Sequence, residues 1–158
     1  MKPRTLFLAV AACLLAPTML LAQVKPTYAL TQEACKKLAA AAIKYAVDNA
    51  SPGGSIAIVD AGGHLLYLER MDNTFAQAAE VSIQKARTAA LFKKDTKAFE
   101  DNINGGRVAL TTVGPVMLQG GLPIIYKGDV IGAIGVSGTK SADQDTDVAK
   151  AGVAVKLD

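Results

Sequence analysis

Two turns in this chain are too short to join anything but antiparallel strands. Ala61-Gly62-Gly63 separates the β-branched run Ser55–Asp60 from the run His64–Met71, and Lys127-Gly128-Asp129 separates Leu122–Tyr126 from Val130–Val136. Parallel neighbours would need a crossover of about a dozen residues or more. A third turn, Gly120-Gly121, follows the apolar run Val116–Leu118, which reads as another strand. The expectation is five strands, two in the first group and three in the second.

Helical patterns surround these groups. Thr31 is a good N-cap, Leu30 can staple onto Cys35, and the Ala- and Lys-rich stretch to about Asn49 repeats Leu38, Ala41, Ala42, Tyr45 and Ala46 at helical spacing. Ser51-Pro52-Gly53-Gly54 ends it. Ala76–Lys94 reads as a second helix with Ala79, Ile83, Ala86 and Ala90 as its buried stripe. Asp95 caps a shorter turn, Thr96–Asp101, and Asn102–Pro115 is a long irregular stretch of the kind that often carries function. Ser141–Leu157 is the last helix, with Asp143, Asp145 and Asp147 at its start, where the helix dipole favours anions. The order is α-β-β-α-β-β-β-α, an α+β sheet with helices packed on it. The last strand, Val-Ile-Gly-Ala-Ile-Gly-Val, is small enough for a helix or a ligand to approach its backbone.

The first residues read differently. Lys2 and Arg4 precede the apolar run Leu6–Leu15, and Met19–Ala22 ends in a small residue. This is the form of a secretory signal peptide over residues 1–22, cut after Ala22, leaving one domain from Gln23 to Asp158. The expected localisation is periplasmic or secreted, with no membrane attachment after cleavage. The full chain carries 17 basic and 14 acidic residues. Without Lys2 and Arg4 the balance is nearly neutral, which leaves no electrostatic footprint for nucleic acid. Cleavage also removes Cys13, so Cys35 has no disulfide partner and no cysteine pair remains for structural zinc.

Four local groups have chemistry to offer. His64, the only imidazole, follows Gly62-Gly63. Arg70 lies in Glu69-Arg70-Met71-Asp72-Asn73. Lys85 lies in Gln84-Lys85-Ala86-Arg87-Thr88 on the second helix, where a solvated helix face is the plainer reading. Gly120-Gly121-Leu122-Pro123 can aim backbone N–H groups at a carboxylate. The phosphate-loop pattern is absent, Gly135-Val136-Ser137-Gly138-Thr139 lacks the last glycine of a nucleophile elbow, and Asp143-x-Asp145-x-Asp147 lacks the glycine and glutamate of a calcium loop.

The motifs Val59-Asp60-Ala61-Gly62-Gly63-His64-Leu65, Arg70-Met71-Asp72, Lys85-Ala86-x-Thr88-Ala89, Gly120-Gly121-x-Pro123-Ile124 and Gly132-Ala133-Ile134-Gly135-Val136-Ser137-Gly138 occur in this order, followed by an Asp-rich helix. Together they resemble the GlcG/HbpS-like family over about Leu30–Leu157. That family includes extracellular heme-binding proteins and the C-terminal domain of a corrinoid adenosyltransferase protein. The resemblance implies a profilin-like antiparallel sheet sandwiched by helices, and homo-oligomers. It also implies heme or another tetrapyrrole as ligand, and leaves catalysis open. On that reading His64 is the iron ligand, Arg70 or Lys85 pairs with propionates, Gly120 and Gly121 belong to the binding surface, and Met71, Tyr67, Tyr126 and Cys35 are the other candidate axial ligands. A second reading is an accessory protein or enzyme for a small hydroxy acid or carbonyl compound, with His64 as base and Arg70 as clamp. A third is a non-catalytic oligomeric module serving an exported oxidoreductase.

Overall fold

The computed structural model describes residues 26–158. The expected leader and its cleavage point lie outside the described residues. Helix α1 spans Gln32–Asp48, with the Thr31 hydroxyl accepting the Ala34 N–H at 3.1 Å. Leu30 packs against the cluster that holds Cys35, as a staple should. Strands β1 (Ser55–Asp60) and β2 (Leu65–Arg70) form the first hairpin. Helix α2 (Gln77–Phe92) ends at Lys93, which takes the left-handed conformation with φ 53°. Helix α3 (Lys97–Asn104) begins where the Asp95 carboxylate accepts the Lys97 N–H at 2.8 Å. A 3-10 helix, Val108–Val113, lies inside the stretch read as irregular. Strands β3 (Gly121–Tyr126) and β4 (Asp129–Ser137) form the second hairpin, and α4 (Ala142–Val153) closes the chain.

The described residues form one sheet of four antiparallel strands, in the order β2-β1-β4-β3. The fifth strand expected at Val116–Leu118 does not form. Side chains, not a neighbouring strand, take one carbonyl within it and the N–H that follows it. The Thr88 hydroxyl donates to the Val116 carbonyl at 2.7 Å, and the Glu100 carboxylate accepts the Gln119 N–H at 2.6 Å. Gly120, with φ +108°, then turns the chain into β3.

Helices cover both faces. On one, Ile56, Ile58, Ile124, Ile134 and Val136 pack with Cys35, Leu38 and Ala42 of α1 and Val148 and Ala149 of α4. On the other, Ala57, Val59 and Ala133 meet Ala86, Ala89 and Ala90 of α2. This second interface is made almost wholly of alanine because the helix lies very close. A Cβ on Gly135 would run into the Ser82 carbonyl and the Ala86 amide of α2. The register shift between Ile58 and Val59 sets Leu65 opposite Val59 and Leu68 opposite Ala57. A regular strand would place Leu65 on the α1 face with Tyr67; the bulge moves it to the α2 face, beside Leu68 and Arg70.

Candidate functional site

The turn at Ala61-Gly62-Gly63 is organised by one carboxylate. Asp60 Oδ1 accepts the N–H groups of Gly62 at 2.8 Å and His64 at 2.9 Å. The Gly63 N–H donates to the Asp60 carbonyl at 3.0 Å, and the Asp60 N–H to the His64 carbonyl at 2.9 Å. Burial pushes the Asp60 carboxyl up, but the N–H donors of His64 and Gly62 outweigh it and hold the group below the usual carboxylate range. His64 Nδ1 stands 3.3 Å from each Asp60 carboxylate oxygen. The ring is 78% exposed.

Helix α2 underlies this turn. Gly63 has φ +81°, and Arg87 Cγ lies 2.8 Å from where a Cβ at that position would stand, with Leu91 Cγ at 3.5 Å. Leu65, which follows His64, and Leu91 are both exposed there. The imidazole thus sits on open surface, at a turn packed on Leu91 and the aliphatic stem of Arg87. Arg87 and Asp60 were not singled out as site residues in the sequence. The signal for Asp60 was there: an Asp two residues before a glycine turn is the usual Asx-turn pattern. Arg87 reaches the turn only through tertiary packing, so nothing local marks it.

The other residues named from sequence do not join His64. Arg70 is six positions further along β2, about 20 Å at the rise of an extended strand. Lys85 is buried. Its ammonium donates to Asp145 Oδ2 at 2.7 Å and to the Val136 carbonyl at 2.9 Å, tying α2 to β4 and α4. Asp145 Oδ1 in turn accepts the Thr139 hydroxyl at 2.7 Å and its N–H at 3.1 Å. Lys85 therefore departs from the solvated helix face expected of it. It stays in phase with Ala78, Ser82 and Ala89, the residues α2 buries. Gly120 and Gly121 crowd against this pair and against α2. A Cβ on Gly120 would stand 2.8 Å from the Val136 carbonyl and 3.1 Å from the Lys85 ammonium, and one on Gly121 would strike the Lys85 backbone. The Gly121 N–H donates to the Thr96 hydroxyl at 2.8 Å, so it is not free for a ligand.

The remaining candidate axial ligands are committed elsewhere. Cys35 is fully buried, and burial pushes its thiol up, away from the thiolate a metal requires. The Tyr67 phenol donates to Glu69 at 2.7 Å, and that bond raises its pKa. Met71 packs against the α1-side core. Tyr126 meets Tyr28 edge to face at 4.9 Å, beside a groove of about 350 Å³ at the β3 edge, the sheet edge remote from β2. Among the described residues no group of three or more His, Cys, Asp and Glu side chains is placed to hold a metal ion.

Fold and turn together define a small α+β domain, an open antiparallel sheet between helices that presents a single imidazole at one hairpin. The chain belongs to the HbpS-like family, described as haem degrading protein HbpS-like, whose profile matches residues 30–154. It is similar to Protein GlcG of Escherichia coli K12, with 51% identity over 85 residues, which is 52% of this chain and 63% of GlcG. The match therefore spans less than two thirds of that relative. Among solved structures, it superposes on HbpS with a TM-score of 0.77 and 32% identity, covering 86% of this chain and 96% of HbpS. A structure described as a PduOC:heme complex superposes with a TM-score of 0.73 and 28% identity, covering 80% of this chain and 94% of that one.

Proposed function

We propose that this is an exported heme-binding protein whose His64 is the iron ligand, held on a profilin-like scaffold at the boundary between two copies of the chain. The observation that carries the reading is the His64 turn itself: an exposed imidazole, backed by a carboxylate, with exposed Leu65 and Leu91 beside the turn. Those residues fit the group. A metal-bound histidine characteristically has a hydrogen-bond acceptor on its other ring nitrogen, and Asp60 supplies one. Leu65 and Leu91 offer exposed apolar surface beside the turn, and Arg87, whose stem packs under Gly63, is the nearest basic residue shown that could pair with a propionate. A relative of the same fold was solved with heme. Bound heme would supply a redox-active iron centre. The chain's own residues bind and orient it, and a second copy packed on the exposed leucines would exclude water from it.

The small-acid reading fits less well. It requires His64 and Arg70 to act on one small molecule, and about 20 Å of strand separates them. An exported carrier also accords with the basic, then apolar, start of the sequence. Among the described residues no helix is long and apolar enough to cross a membrane.

Hemin titration tests the reading. The wild-type protein is expected to give a saturable, shifted Soret band. His64→Ala should weaken binding roughly tenfold or more, since even outer residues of metal sites are worth about 10–100-fold. Arg87→Ala should cost less and leave the band position unchanged. A spectrum that rises in proportion to added hemin without saturating would sink the proposal. Saturation that is identical in His64→Ala would keep heme but remove His64.

A further inference from the structure

We propose that Asp60 is a positioning residue for His64: it fixes the imidazole in the Nδ1–H tautomer, so that the ring presents a lone pair at Nε2 to whatever binds there. The inference rests on the heme reading only for the identity of that ligand. Three observations carry it. First, Nδ1 is 3.3 Å from both carboxylate oxygens at once, near the long limit of an N–H···O bond but shared between two acceptors. A deprotonated Nδ1 would set its own lone pair against both oxygens, which is repulsive. Second, the carboxylate cannot turn away, because Oδ1 is already held by the Gly62 and His64 N–H groups. Third, the ring has space to lie back on the carboxylate only because residue 62 is glycine. A Cβ there would stand 3.0 Å from Nδ1 and 3.1 Å from Cε1.

Free histidine in water prefers the opposite, Nε2–H, tautomer. Asp60 therefore inverts an intrinsic preference, and the nitrogen it frees is the one away from the carboxylate, on a ring that is largely exposed. A carboxylate on Nδ1–H also raises the basicity of the ring as a ligand.

His64 is the only histidine, so one ring gives the whole signal. The experiment is long-range proton–nitrogen correlation of the imidazole in the ligand-free protein at pH 9, well above the ordinary range of imidazole titration. Wild type is expected to be mainly Nδ1–H, and Asp60→Ala mainly Nε2–H. Asp60→Asn keeps an oxygen acceptor for the turn and should fall between them, with a backbone spectrum like the wild type. Gly62→Ala should move the ring off the carboxylate and shift the population the same way as Asp60→Ala. A wild-type ring in the Nε2–H form would overturn the proposal, as would a population unchanged in both Asp60 variants. With hemin bound, Asp60→Asn is expected to move the iron reduction potential to more positive values. Should the tautomer switch appear while wild-type protein fails to saturate with hemin, positioning by Asp60 stands and the heme reading falls.

Discussion

Asp145→Ala is expected to lower the denaturant midpoint of unfolding by the equivalent of about 3–5 kcal/mol, the usual cost of stranding one member of a buried ion pair. The Lys85 ammonium would lose its only carboxylate while its surroundings stay closed. Its side chain is 4% exposed, and its one other acceptor is the Val136 carbonyl. The charge itself is more expensive than the lost bond. Lys85→Met with Asp145→Leu should therefore be more stable than Asp145→Ala alone, because two apolar groups of similar size leave nothing charged behind. Recovery will be incomplete, since the Thr139 hydroxyl and N–H both lose their acceptor. Urea titrations of wild type, Asp145→Ala and the double variant make the comparison. A loss below about 1 kcal/mol in Asp145→Ala would mean the pair behaves like an exposed one.

Gly135→Ala should also be severe. The added methyl meets the Ser82 carbonyl and the Ala86 amide, which are helix backbone and cannot rotate out of the way as a side chain would. The helix must lift from the sheet, so the cost belongs at or above the upper end for overpacking, about 3 kcal/mol, or a melting point lower by on the order of 10 °C. Gly128→Ala is the control. It adds the same methyl at φ +86° with nothing within 4 Å, so only backbone strain of about 1–2 kcal/mol is at stake. A Gly135→Ala protein that melts within about 2 °C of wild type would show that α2 can shift at little cost.

Much of the fold was legible in local sequence. Thr31 marked a helix start, the two short glycine turns required antiparallel hairpins, and the small residues of Val130–Val136 announced a close neighbour. What failed were features decided by distant partners. Val116–Leu118 has strand composition, but Thr88 and Glu100 satisfy its neighbourhood's backbone from two helices. The face carrying Leu65 depends on a bulge that no alternation pattern reveals. Among site residues, His64 and its turn were visible because glycine and aspartate chemistry is local. Lys85 looks solvated in its local sequence because its carboxylate lies sixty residues away. A lysine in phase with a small-residue stripe was the hint.

The strand order also governs how the molecule comes into being. β1 lies between β2, its immediate successor, and β4, which is near the end of the sequence. During synthesis the first hairpin can therefore close at once, while the other hydrogen-bonding edge of β1 stays open until Val136 has been made. Pairing across such a separation is slow, and the waiting intermediate exposes both an open strand edge and apolar surface. In a compartment where the chain lingers, that half-built sheet is the form that aggregates. The sheet cannot lock until β4 arrives, so its completion is a late event in the making of the chain.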